Sequence, residues 1–117
     1  MSFVTGDLTI RTLNEAMTGL SMRSRTIADN LANIDTPGFL AGKVDFESVL
    51  KKHYVDGVDP TGMEVATSRS LEPTRTNGSN VNLDEETLAA QQTVLSTQLA
   101  AQAMTNKFNG IKTAIGN

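Results

Sequence analysis

The two ends of the chain carry apolar side chains at heptad spacing, and the segment between them does not. Such a line of apolar residues, here called a seam, is typical of a helix that packs along another long helix. The first seam consists of Ile10, Leu13, Met17, Leu20, Ser24, Ile27, Leu31 and Ile34. The second consists of Ala90, Val94, Thr97, Ala101, Met104, Phe108, Ile111 and Ile115, with Leu88, Leu95 and Leu99 beside it. We therefore predict a mainly α fold in which two long terminal helices pack as an antiparallel coiled-coil pair.

Local signals place the inner and outer ends of these helices. Asp7 is a candidate cap for the first helix. The Pro37-Gly38 pair that follows this helix fits the two central positions of a type II turn, where glycine supplies the positive φ. Asn82 and Glu85 have the spacing of a capping box and predict the start of the second helix.

The middle of the chain loses helical periodicity and is rich in turn signals. We expect a short helix within residues 45–54 and short strands near residues 63–66. A structureless segment of this length is uncommon inside a compact domain, so we expect it to be either mobile or ordered by neighbouring subunits. The predicted organisation is a single domain over residues 1–117, made of an N-terminal helix (7–34), a turn and loosely structured insert (35–81), and a C-terminal helix (82–116).

Composition narrows the chemistry. The 117 residues include no cysteine, no tryptophan, one tyrosine and four phenylalanines, and the net charge is −3. Without cysteine there is no disulfide or thiol catalysis, and the negative charge argues against nucleic-acid binding. So few aromatic side chains favour a weak core that partner subunits complete, although an ordinary small domain built on Leu, Ile, Val and Ala would have the same composition. The row formed by Leu88, Leu95 and Leu99 favours contacts beyond the helix pair, although a wide core seam would have the same pattern.

Three clusters of polar residues are candidates for chemistry, and each has a simpler interpretation. His53 stands beside two lysines with no nucleophile or carboxylate assigned to it, which is typical of a surface histidine. The acidic run over 84–86 suits the positive end of a helix dipole better than a metal site. The 56–59 segment lacks the spaced ligands of a calcium loop. We therefore predict no catalytic, cofactor-binding or metal-binding residues, no cofactor, and no enzymatic activity.

The N-terminus has neither a basic region nor a continuous apolar run, and no stretch of the chain has the length and apolarity of a membrane-spanning helix. We therefore expect a protein that is cytosolic or is exported by a route that reads no cleaved signal.

One segment resembles the signature of a known family. It runs from Ile27 to Phe39, and its motif residues are Asn30, Leu31, Ala32, Asn33, Asp35, Thr36, Pro37, Gly38 and Phe39. This segment is similar to the motif at the end of the first helix in flagellar axial proteins. The turn, together with residues 44–47, resembles the proximal-rod type of the basal-body rod proteins. The segment 77–86, ahead of the second helix, resembles the same type, whereas residues 40–43 depart from its usual polar stretch.

The resemblance implies a structural subunit that polymerises into the proximal part of the hollow flagellar rod, which transmits motor rotation and passes exported subunits. It implies export without a cleaved signal peptide and a location in the basal body, within the cell envelope. The implied partners are other copies of the chain, axial proteins of the FlgC and FliE types, and the region of the export gate and MS ring. No nucleic acid and no small-molecule substrate is implied.

Two other classes of protein remain open on the residues alone. A small secreted helical hairpin of the WXG100-like type shares the length and the absence of a signal peptide, but it carries a Trp-x-Gly turn that this chain lacks. A small cytosolic enzyme or coiled-coil regulator would need a convergent set of polar residues, and none is evident.

Overall fold

The computed structural model describes residues 2–116, with side chains described from residue 7 onward, so the two end residues of the expected 1–117 domain lie outside it. The elements in chain order are α1 (Ser2–Ala32), β1 (Gly42–Asp45), α2 (Glu47–Val55), β2 (Ala66–Arg69) and α3 (Leu83–Gly116). The prediction of a mainly α fold with two long terminal helices and an antiparallel pairing between them is confirmed. The molecule is elongated, with extents of 64 × 24 × 16 Å.

Helix α1 begins before the expected cap. Its first residue is Ser2, so Asp7 lies inside the helix and does not cap it. The Asp7 carboxylate instead forms an ion pair with Arg11 one turn later, at 3.1 Å. The helix ends at Ala32, close to the expected end, and the next amides continue in a tighter turn, with the N–H of Ile34 donating to the carbonyl of Leu31.

The predicted turn and the predicted Asn82 cap are both observed, the cap through the Asn82 side chain alone. The amide of Phe39 donates to the carbonyl of Thr36 at 3.2 Å, and Gly38 has a φ of 73°, as a type II turn over Pro37-Gly38 requires. At the start of α3, the side-chain oxygen of Asn82 accepts hydrogen bonds from the amides of Asp84 (3.0 Å) and Glu85 (3.2 Å).

The middle segment is more regular than the sequence suggests. Strands β1 and β2 pair antiparallel with Gly42 opposite Arg69 and Asp45 opposite Ala66, and α2 lies between them in the chain. This β1-α2-β2 segment packs on one side of α1. The expected strand near 63–66 begins only at Ala66, and the expected helix within 45–54 is shifted to Glu47–Val55.

The core is small and lies where α1 meets the β1-α2-β2 segment. Its buried apolar side chains are Leu20, Val44, Phe46 and Leu50. Helix α3 contributes Ala100 to the edge of this cluster, and its most buried side chain is that of Thr93. The Thr93 hydroxyl donates to the carbonyl of Ala89 at 2.7 Å, so the buried polar group is satisfied within its own helix.

Candidate assembly surfaces

The two asparagines of the family-like motif, Asn30 and Asn33, have different roles. The Asn30 side chain is 1% exposed and bonds Gly42 twice, with Nδ2 donating to the carbonyl (3.0 Å) and Oδ1 accepting from the amide (2.8 Å). The Asn30 side chain therefore bonds Gly42 as a neighbouring β-strand would, and it joins α1 to the start of β1. Asn33 is half-buried and makes local bonds, donating to the Asp29 carbonyl (2.8 Å) and accepting from the Thr36 hydroxyl (3.1 Å). Asn33 closes the helix end.

The motif turn is held against the segment that precedes α3. The Gly38 amide donates to the carbonyl of Asn77 at 2.9 Å. A Cβ on Gly78, whose φ is 84°, would lie 3.3 Å from the Cα of Gly38, so the two glycine turns touch backbone to backbone. A guanidinium nitrogen of Arg75 donates to the carbonyl of Ile34 at the end of the motif helix. The two segments that resemble rod proteins in sequence, 27–39 and 77–86, thus meet at one end of the molecule.

Asn80 is the residue at this junction that sequence reasoning did not single out. Its side chain is buried, with Oδ1 accepting from the Ala41 amide (2.7 Å) and Nδ2 donating to the carbonyls of Ser70 and Glu72 (both 3.1 Å). The Asn80 side chain therefore joins its own segment to the residue before β1 and to the residues after β2. The only signal in the sequence is its place in the Asn-Gly-Ser-Asn run over 77–80, which reads as a turn and does not reveal burial.

Two arginines on α1 attach the β1-α2-β2 segment to the helix. Arg23 donates to the Val44 carbonyl and to Glu47 (both 2.6 Å), and its guanidinium lies 4.9 Å from the centre of the Phe46 ring. Burial raises the pKa of Glu47, but the hydrogen bond and charge of Arg23, together with backbone hydrogen bonds from Phe46 and Glu47, outweigh this effect, so the pKa is lowered overall.

The second arginine, Arg11, pairs with Asp59 on the loop after α2. Hydrogen bonds from the hydroxyl and amide of Thr61, together with Arg11, lower the pKa of Asp59. The carboxylates of Glu47 and Asp59, each paired with an arginine of α1, are therefore both held in the charged form.

The predicted helix-packing residues fall into three groups by exposure. Leu20 and Ile27 are buried. Ile10, Leu13, Met17, Leu31, Ile34 and Met104 are half-buried. Leu88, Val94, Leu95, Leu99, Phe108, Ile111 and Ile115 are exposed. Val94 is therefore not a seam residue within this chain, because α3 turns its smaller Ala and Thr side chains toward α1.

Leu88, Leu95 and Leu99 do not widen the seam. They lie on the opposite side of α3 from Thr93, with exposed fractions of 56%, 60% and 72%, and form what we call the outer stripe. In the sequence, residues 87–106 of α3 contain no charged residue, so the stripe is bordered by uncharged polar side chains such as those of glutamine. A row of three exposed leucines on a rigid helix is typical of a protein contact. Phe108, Ile111 and Ile115 form a second exposed group at the far end of the same helix.

The candidates for chemistry remain apart from one another. His53 Nδ1 lies 2.8 Å from the Val49 carbonyl in its own helix. The acidic residues 84–86 occupy the first turn of α3, where Asp84 and Glu85 are exposed and Glu86 is half-buried. Among the residues that the structure describes, no three His, Cys, Asp or Glu side chains are placed to hold a metal ion. In the same part of the chain, no helix is long and apolar enough to cross a membrane.

Comparison with known proteins finds similarity to flagellar rod proteins. The family described as "Flagella basal body rod protein" matches residues 10–39, from the first seam through the motif turn. The flagellar basal body rod protein FlgB of Borreliella burgdorferi is 30% identical over 79% of this chain and 84% of that protein. FlgB of Bacillus subtilis is 29% identical over 98% of this chain and 97% of that protein. FlgB of Escherichia coli is 28% identical over 90% of this chain and 91% of that protein.

Proposed function

The chain belongs to the FlgB family of flagellar basal body rod proteins, and from this premise we propose how it is built into the rod. As a member of this family it is a structural subunit of the basal body rod and not an enzyme. The alternative of a WXG100-like secreted hairpin has no support, because the relatives that match along most of the chain are rod proteins.

The proposal is that the chain polymerises through α3 into the proximal part of the rod. The observation that carries it is the outward position of the outer stripe, since an isolated monomer gains nothing from three leucines in water. A contact between two different surfaces that does not close into a ring builds an open helical array, which a tubular rod requires. The single domain over 1–117, with its predicted motif and packing residues, is the assembling unit.

The finer assignments belong to the same proposal. The neighbours of the subunit are other copies of the chain and axial proteins of the FlgC and FliE types. The subunit occupies the end of the rod near the export gate and the MS ring. Export occurs without a cleaved signal peptide. The small core and the absence of cysteine support this route, because a chain with few buried side chains and no disulfide unfolds readily for passage. The rod transmits rotation, for which paired long helices supply stiffness.

Sedimentation and circular dichroism of the purified protein, with and without FlgC-type and FliE-type proteins, test the proposal. We expect large open-ended species and a gain of helical signal when partners are added. A double variant of the stripe, Leu95→Gln with Leu99→Gln, should lose these species while keeping the monomer fold.

A matched control is Val55→Gln with Val58→Gln, which changes two exposed valines outside α3. It should assemble like the unchanged protein. A monomer or compact dimer that ignores both partners would contradict the proposed function.

A further inference from the structure

A groove of 380 Å³ opens between α1 and α2, with Ser96 of α3 also in its lining. None of the three leucines of the outer stripe lines it. Its lining is mostly apolar. The residues that form it include Thr12, Ala16 and Leu20 from α1 and Phe46, Leu50 and Tyr54 from the segment around α2. The molecule thus carries both an apolar ridge on α3 and an apolar depression beside it.

The charges at the ends of the two surfaces are opposite. Lys51 lines the groove one turn before Tyr54, and the charge of Glu47 in the same lining is already matched by Arg23. On the stripe, Asp84 lies one turn before Leu88, because residues four apart share a helix face. Neither Lys51 nor Asp84 has an ion-pair partner within residues 7–116. The acid and leucine on α3 are four residues apart and the lysine and tyrosine on α2 are three apart, so each pair spans about one helical turn.

One polar group in the groove also lacks a partner. The hydroxyl oxygen of Thr12 is buried and has no hydrogen-bond partner among the described residues. The outer stripe is flanked by Gln91 and Gln92, whose amides both donate and accept hydrogen bonds. Because Thr12 lines the groove, a helix that docks there brings such an amide next to this threonine.

We propose that the outer stripe of one copy docks into the α1–α2 groove of a second copy, with Leu88 seated near Tyr54 and Asp84 beside Lys51. This inference rests on the proposed function and specifies the contact by which copies join. Because the ridge and the groove are different surfaces of one chain, a pair leaves the groove free on the first copy and the ridge free on the second. The contact is heterologous and propagates.

Cysteine cross-linking tests the contact directly, because the chain has no cysteine of its own. Two single variants, Leu88→Cys and Tyr54→Cys, are mixed and oxidised under assembly conditions. A disulfide requires Cα atoms within about 7 Å, so the mixture should give a covalent heterodimer only if ridge and groove meet. The matched control replaces Tyr54→Cys by Val55→Cys, the next residue on α2, which is more exposed and does not line the groove.

Charge reversal makes the test specific. Lys51→Glu in the Tyr54→Cys copy should reduce the yield of heterodimer, and Asp84→Lys in the Leu88→Cys copy should restore it. Strong cross-linking of Leu88→Cys with itself would overturn the proposal in favour of a stripe-to-stripe dimer. Cross-linking only to an added axial partner would overturn the choice of a second copy.

The outcomes separate this inference from the function on which it rests. Open-ended species that form without the Leu88–Tyr54 cross-link would overturn the ridge-and-groove contact and leave the rod subunit intact. Failure to form such species under any combination of partners would overturn the proposed function itself.

Discussion

At the scale of single residues, the junction depends on buried amide side chains. Asn30 and Asn80 each replace backbone hydrogen bonds between segments that are distant in sequence. The sequence places Asn30 and Asn33 three residues apart on one helix face, where either amide can bond turn backbone or cross an interface, and Asn33 also suits the helix end. Which of them is buried depends on where β1 passes. That is a long-range contact which no local pattern encodes.

We predict that Asn30→Ala and Asn33→Ala differ sharply in stability. The first leaves both the amide and the carbonyl of Gly42 without their partner, which should lower the free energy of unfolding by about 2–3 kcal/mol. The second removes only local bonds at a half-buried helix end and should cost less than about 1 kcal/mol. Urea unfolding followed by circular dichroism measures both. Equal losses would show that Asn30 is another helix-end residue.

At the scale of elements, the long helices could be predicted and the face that α3 presents could not. Heptad spacing identifies a seam, but it does not distinguish which of its members, such as Val94 and Thr97, faces α1. The structure selects the smaller side chains because the large ones of the core, Phe46 and Leu50, come from the segment around α2. The turn-rich composition of that segment hides its short strands and α2. These elements form only because α1 offers a surface, including Gly19, on which to pack.

We predict that Gly19→Ala destabilises the protein even though alanine favours helices. A Cβ at Gly19 would lie 2.5 Å from the ring of Phe46, which is buried in the core and has no room to move. Overpacking of this kind costs about 1–3 kcal/mol, more than the helix gain of about 0.5–1 kcal/mol. The matched control is Gly110→Ala in α3, where nothing lies within 4 Å. The urea midpoint of unfolding should fall for Gly19→Ala and rise for Gly110→Ala. A rise for both variants would refute close packing at Gly19.

At the scale of the whole molecule, the chain exposes more surface than its size requires. A compact monomer of 12.5 kDa is expected to expose about 6,200 Å², and this one exposes 7861 Å². Its radius of gyration is 17.7 Å, against about 13 Å for a compact chain of this length. The excess, about 1,700 Å², is roughly what two standard interfaces would bury on one protein. The shape therefore fits a subunit with neighbours on two surfaces.

From this excess surface we predict that the apparent melting temperature rises with protein concentration. Neighbours that bind only the folded chain stabilise it by mass action, so each tenfold rise in concentration above Kd adds about 1.4 kcal/mol, or about 5 °C. Differential scanning calorimetry over a dilution series measures this. The Leu95→Gln, Leu99→Gln variant should match the unchanged protein when dilute, because both side chains are exposed in the monomer, and should lose the concentration dependence. A lower melting temperature for the dilute variant would instead make the outer stripe part of the monomer's own core.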